Sequence, residues 1–385
     1  MKASERKRGL IRAPKLIWEI LFRGRYSFVY DQMSIRREAM TLLRRINVLK
    51  AGMNFIHRAE KPWNMPLHVQ VELTNYCNLH CPVCPTGSGV IERKPRAMSP
   101  GLFEKFMEEM GPYLLTMSLW AWGEPLLHPQ LREILRIAGE HSVITFLSTN
   151  GQNLDNEKIV KAILDFPPTY LIVAIDGLTD DSNSKYRVGA RLDRILAGVH
   201  RIREERSSRK QESPILHMRY MVMKHNQHEL TGVVDFAKEN GFDFLTFRDL
   251  SPVSVPFTEA RFHEFIPDER EYRGYHVQGN VRFRRDDFIC QHPFWFPTLF
   301  ADGTVVACCE DYNASHAMGI YDKEASFRDV WYGKKAGKVR NIVRKNPDLL
   351  SFCKACPERD RGTTDTSVRA VFLNDRIPRV TAKRG

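Results

Sequence analysis

From residue 67 onward, short continuous apolar runs alternate with stretches whose apolar positions recur every three to four residues. Six of the runs read as strands, at 68–74, 117–122, 143–149, 170–176, 216–223 and 244–249. The intervening stretches at 100–111, 129–141, 156–166, 191–206 and 229–240 read as amphipathic helices. Strands apolar on both faces, separated by helices, predict a parallel sheet covered on both sides. Six such units make a partial barrel rather than an eightfold one, and its functional side chains are expected at the carboxyl ends of the strands. The alternation stops at 250. A Pro-, Arg- and aromatic-containing connector follows at 251–287. A second compact segment at 288–357 carries a hairpin signal at 300–307, with Asp302-Gly303 as its turn, and a polar tail occupies 358–385.

Residues 1–66 differ in kind. They hold fifteen Lys and Arg against five acids, a net of +10, so the remainder of the +12 chain is close to neutral. Basic clusters at Arg6-Lys7-Arg8, Arg23/Arg25, Arg36-Arg37 and Arg44-Arg45 alternate with apolar Leu16-Ile17-Trp18, Leu21-Phe22 and Leu42-Leu43. The pattern predicts a basic amphipathic helical extension. It either packs as a solvated arm on the barrel or meets an anionic membrane surface or an acidic partner. No reading motif accompanies the charge, so nucleic acid is not an expected partner. No run approaches the ~18 apolar residues of a membrane span. Glu19 breaks the first apolar run, which makes a cleaved signal unexpected. The expected compartment is the cytoplasm, peripheral to a membrane if the arm docks there.

Eight cysteines in a reducing compartment point to metal ligands before disulfides. Cys77, Cys81 and Cys84 follow the first strand with C-x3-C-x2-C spacing. Three thiolates leave one coordination position open, where a closed cluster has four. Cys290, Cys308, Cys353 and Cys356 form a second set, with Cys353-Lys-Ala-Cys356 as a close pair, and Cys309 is left over as a buried free thiol. Structural zinc is the alternative at both places, completed at the first by His80 or His57.

The later strand ends carry Ala121-Trp-Gly-Glu-Pro125, Ser148-Thr-Asn-Gly151 and Val173-Ala-Ile-Asp-Gly177. Singly these are ordinary turn sequences. In this order, after a three-cysteine loop, they resemble the radical S-adenosylmethionine (radical SAM) enzymes, and the second cysteine set resembles the auxiliary-cluster region of their SPASM/twitch members. The resemblance spans roughly residues 67–357. It implies a partial (β/α)6 TIM-like barrel with a small C-terminal α+β twitch/SPASM domain. It also implies a SAM-binding 4Fe-4S cluster on Cys77, Cys81 and Cys84, and one auxiliary 4Fe-4S cluster on Cys290, Cys308, Cys353 and Cys356. SAM contacts are expected from Gly123, Glu124, Ser148, Thr149, Asn150 and Asp176, with Val83 packing on adenine. Three positions depart from the family's habit: Trp122 where a glycine is usual, Ala174 in place of a serine, and Val83 in place of an aromatic ring.

The implied activity is reductive cleavage of SAM to a 5'-deoxyadenosyl radical, which abstracts hydrogen from a substrate the sequence does not identify. The electron comes from a donor such as a flavodoxin or ferredoxin. The auxiliary cluster would handle electrons in the oxidation of a sugar-like or lipid-linked small molecule. His217, Arg219 and Arg248 are the substrate-facing candidates, since inward Arg suits an anionic or polyhydroxylated group. Modification of a ribosomal peptide is the alternative enzyme reading, and a non-catalytic metal-binding interaction protein is the alternative outside catalysis.

Overall fold

The computed structural model describes residues 14–250, 264–274, 277–278, 281–282, 288–354, 356–361 and 366–375. Most of the 251–287 connector, and the Arg6-Lys7-Arg8 cluster, therefore lie outside the described residues.

The chain opens with helix α1 (14–23), a hairpin of β1 (Tyr26–Tyr30) and β2 (Met33–Arg37), and helix α2 (Leu42–His57). The helical extension is thus interrupted by a hairpin that the reading of the sequence did not place. Its signal is the period-two pattern of Met33-Ser-Ile-Arg-Arg37, buried at every second residue. The barrel strands are β3 (His68–Val71), β4 (Thr116–Ser118), β5 (Ile144–Thr149), β6 (Tyr170–Ala174), β7 (Ile215–Met221) and β8 (Phe244–Arg248). They pair in parallel in sequence order. Crossovers run through α3 (Pro100–Met110), α4 (Leu131–Glu140), α5 (Glu157–Asp165), α6 (Asp180–Tyr186) with α7 (Leu192–Ser208), and α8 (Val233–Glu239). Side-chain caps start several of them. Ser99 caps α3, Asn156 caps α5, and a Thr179/Ser182 capping box opens α6.

After a short antiparallel pair, β9 (Val277–Gln278) and β10 (Val281–Arg282), the C-terminal segment extends the same sheet. Strand β11 (Thr298–Leu299) lies parallel on β3, and β12 (Thr304–Val306) and β13 (Gly319–Ile320) follow antiparallel. The expected turn is present: Gly303 sits at φ 88°, and a Cβ there would stand 2.1 Å from the Tyr321 carbonyl oxygen. Strand β14 (Ser367–Phe372) pairs antiparallel with β8 at the opposite edge, so this part of the expected polar tail closes the ten-stranded sheet. No helix among the described residues is long and apolar enough to cross a membrane.

The hairpin of β1 and β2 fills the amino end of the barrel. Met33 and Ile35 pack with Ile144, Phe146, Tyr170, Ile215 and Phe244, and Tyr30 stacks on Phe146 with ring centroids 4.0 Å apart. The carboxyl ends of the strands stay open around a cavity.

Candidate functional site

The cavity holds about 330 Å³, and Cys77, Cys81 and Cys84 all line it. The loop that carries them is folded tightly on itself. A Cβ on Gly87 would lie 2.5 Å from both the Cys81 nitrogen and its carbonyl oxygen, so only glycine closes the loop there. Burial pushes the Cys77 and Cys81 thiols up to about 11. It also raises Cys84, against backbone N–H groups of Gly87 and Thr86 that favour its thiolate. Buried thiolates need a cation to hold them, and such a site suits a positively charged metal centre.

The expected contacts lie around the same cavity. Gly123, Glu124, Ser148, Thr149, Asn150 and Asp176 line it with Val83, which is buried against Leu79 and Tyr186. Glu124 Oε1 accepts from Thr149 Oγ1 (2.7 Å) and the Leu126 amide (2.9 Å), and Oε2 accepts from the Asn150 amide (2.8 Å). An ionised carboxylate accepts about four hydrogen bonds, so one site remains for an ammonium group. Gly123 answers to a neighbour rather than to a ligand: a Cβ there would fall 2.0 Å from the Thr74 carbonyl oxygen at the end of the β3 segment. Asn150 Nδ2 reaches Cys77 Sγ at 3.5 Å and Asn78 Oδ1 at 2.8 Å.

Arg187 bridges two parts of the site. Its Nε donates to Asp176 Oδ2 (2.6 Å), and Nη1 lies 3.9 Å from Cys81 Sγ. Burial alone would lower its pKa, and Asp176 and Cys81 outweigh that. The other Asp176 oxygen accepts from the Met221 amide at 2.8 Å, so this carboxylate is engaged on both sides by the protein. Sequence reasoning had no means of joining residues 176 and 187, which meet only because α6 turns back over the end of β6.

The substrate-facing candidates divide. His217 is fully buried and does not line the cavity; its Nε2 meets Thr246 Oγ1 at 2.8 Å, and burial holds it neutral. Its side chain therefore faces the barrel interior and not a substrate. Arg219 and Arg248 do line the cavity, yet both engage Asp31 at the tip of the N-terminal hairpin. Arg219 Nε donates to Asp31 Oδ2 (3.0 Å), its Nη2 meets the Tyr30 hydroxyl (3.0 Å), and Arg248 Nη1 meets Asp31 Oδ1. Ser367 from β14 donates to the same Oδ1 at 2.9 Å. Two guanidinium groups thus share one buried carboxylate. Among the described residues Nη1 of Arg219 has no partner.

Comparison with known proteins decides the family. Residues 71–237 match the family model described as the Radical SAM superfamily, and 290–357 match that of an iron-sulfur cluster-binding domain, SPASM. The chain belongs to the radical SAM superfamily. It is 26% identical to a probable GTP 3',8-cyclase of Metallosphaera sedula, over 56% of this chain and 65% of that one. It is also 22% identical to a PqqA peptide cyclase of Ruegeria pomeroyi, over 76% and 79%. The first curated relatives are each matched over 43–65% of their own length. Among solved structures, Streptococcus suis SuiB bound to S-adenosylmethionine shares the fold, with a TM-score of 0.56 and 18% identity over 83% of this chain and 80% of that one.

The radical SAM domain implies SAM and a 4Fe-4S cluster, and the SPASM domain implies an auxiliary iron-sulfur cluster. Three cysteine thiols on one cavity wall are the donor set that a four-iron cluster with one open iron takes. In the SPASM segment desolvation raises the Cys290 and Cys353 thiols, and the Cys308 thiol is raised first by its hydrogen bond with the Cys309 thiol and then by desolvation. Trp122, the departure beside Gly123, ties the two halves together. Its Nε1 donates to the Cys309 carbonyl at 2.6 Å, and Glu310, the next residue, lines the SAM-side cavity.

Proposed function

We propose that Cys77, Cys81 and Cys84 hold the SAM-binding cluster, that Cys290, Cys308, Cys353 and Cys356 hold one auxiliary 4Fe-4S cluster, and that the reaction is a substrate oxidation. When bound, these groups supply hydrogen-atom abstraction by a 5'-deoxyadenosyl radical and a one-electron acceptor for the substrate radical that results. The single observation that carries the reading is the shared cavity, where the three cysteines, Glu124 and Asn150 face Glu310 from the auxiliary segment.

The chain's own residues bind, orient and exclude water. Glu124 offers its remaining acceptor site to the SAM ammonium. Thr149 and Asn150 fix that carboxylate, and Arg187 holds Asp176 in place beside the cysteine loop. Arg219 and Arg248 present two positive charges against one resident anion. This supports a substrate that brings a carboxylate, a phosphate or several hydroxyls to that wall. The electron donor would be a flavodoxin or ferredoxin, and a lipid-linked substrate would suit a peripheral position on an anionic membrane.

A second reading, modification of a ribosomal peptide, is favoured by the match to a PqqA peptide cyclase over most of both chains. Weighing against it, the N-terminal hairpin has its tip pinned inside the barrel by Arg219 and Arg248, whereas a module that adds a peptide strand needs a free sheet edge.

Anaerobically purified protein tests the proposal. It should hold about eight irons and eight sulfides per chain, falling to about four of each in a Cys308→Ala/Cys353→Ala double variant. Zinc retained by the wild type and lost in the double variant would contradict the auxiliary cluster. Turnover should consume one SAM per product with no external oxidant; a methylated or adenosylated product would contradict the oxidation.

A further inference from the structure

Helix α2 carries apolar side chains on its outer face as well as on its inner one. Toward the body it turns Arg44, Asn47 and Asn54 beside the apolar Val48 and Ala51, and outward it turns Leu42, Ile46, Met53 and Ile56. The outward positions, with half-buried Leu49 between them, are spaced four, three, four and three residues apart, which forms one continuous apolar stripe. Its inner face is held by polar clamps. Arg44 Nη2 donates to the Gly111 carbonyl (2.7 Å), and Asn47 exchanges hydrogen bonds with the Met65 backbone (2.8 and 3.1 Å). The inner face is therefore fixed to the barrel by these clamps and by Val48 and Ala51, and a second apolar stripe is left exposed.

The rest of the module repeats the theme. Of seventeen large apolar side chains exposed among the described residues, twelve lie between residues 16 and 63, with Phe22 at 71%, Leu42 at 66% and Ile56 at 73%. An apolar surface this concentrated marks an interaction site. Arg45 joins α1 to α2 through the Leu21 carbonyl (2.7 Å) and the Met40 carbonyl (2.8 Å), so both helices belong to one unit. Exposed Lys15, Lys50 and Lys61 have no ion-pair partner among the described residues, and Trp18 and Trp63 stand among them.

We propose that the α1–α2 module docks the enzyme on an anionic lipid bilayer as a peripheral, monotopic attachment. An apolar stripe flanked by unpaired Lys and exposed Trp suits the boundary between acyl chains and acidic headgroups. A second copy of this chain fits less well, because a two-fold contact would bring two modules of net +10 together. The docking stands on the N-terminal module and does not depend on which substrate the cavity takes.

The test is sedimentation of the full-length holoenzyme with phosphatidylcholine vesicles, with and without phosphatidylglycerol. Each Lys near an anionic surface contributes about 1 kcal/mol, so phosphatidylglycerol should tighten binding by roughly tenfold or more, and added salt should reverse the gain. A Leu42→Glu/Met53→Glu/Ile56→Glu variant should lose at least about tenfold. These side chains are exposed, so its far-ultraviolet circular dichroism and its SAM cleavage in solution should match the wild type. The proposal is overturned if the wild type ignores both vesicle types, or if the triple variant binds as well as the wild type. It is equally overturned if the wild type is a dimer without lipid and the variant a monomer, which would assign the face to a second copy. Because circular dichroism reports folding without reference to SAM, failure of docking and failure of the radical reading remain distinguishable.

Discussion

Asp31 concentrates the unusual energetics of the molecule in one side chain. It is buried, which by itself would raise its pKa, but Arg219 and Arg248 outweigh that and hold the carboxyl well below its ordinary value of 3.8. Replacing it with asparagine leaves two guanidinium groups largely buried with no counter-ion, a loss of about 3–5 kcal/mol. A group whose pKa falls on folding binds fewer protons folded than unfolded, so its contribution is complete above about pH 4 and fades as pH falls further. The denaturation midpoints of wild type and Asp31→Asn should therefore differ steadily from pH 7 down to about 4 and converge below. Equal midpoints at pH 7 would show that the carboxylate does not hold the hairpin in the barrel. At the same scale, Arg187→Ala leaves the buried Asp176 carboxylate without its guanidinium, so it should lower the denaturation midpoint at pH 7 as Asp31→Asn does, and an unchanged midpoint would show that the pair is dispensable.

At the scale of elements, the two edges of the sheet explain how a six-stranded partial barrel is completed. Strand β11 covers the β3 edge and β14 the β8 edge, and β14 also supplies Ser367 to Asp31. Removing residues 364–385 exposes β8 and should lower the melting temperature by about 5 °C or more, with soluble aggregates by size exclusion. An unchanged melting profile would show that β14 is dispensable. The six barrel strands were legible in the sequence because each lies in a short apolar run next to an amphipathic helix, although β4 ends at Ser118 where the run continues to Trp122. Strand β14 was not: Ser-Val-Arg-Ala-Val-Phe sits in a polar stretch, and only its partner β8 makes it a strand. Hairpin β1–β2 was hidden by its basic residues. Arg37, which reads as surface charge, is buried and donates to the Ser142 carbonyl. The site divides in the same way. The cysteines and strand-end motifs are local in sequence and could be read, whereas Asp31, Arg187 and the Trp122–Cys309 link are contacts between distant segments and could not.

Across the whole molecule, three segments converge on one cavity. The barrel provides the cysteine loop and the strand-end residues that line the cavity with it. The SPASM segment reaches the cavity through Glu310 and binds Trp122 from behind. The N-terminal module backs the cavity wall through Asp31, which pairs with the lining Arg219 and Arg248, and carries the apolar face outside. The cysteine loop and the charged wall of Arg219 and Arg248 share this volume, and the auxiliary cysteines lie outside its lining, so in the proposed function their contributions are separable by mutation. The most direct measurement is 5'-deoxyadenosine formed from SAM after anaerobic reduction of the reconstituted protein. The wild type and Cys308→Ala/Cys353→Ala should both produce it, and Cys84→Ala should not. Failure of the fully iron-loaded wild type to cleave SAM, or cleavage that survives loss of Cys84, would contradict the account.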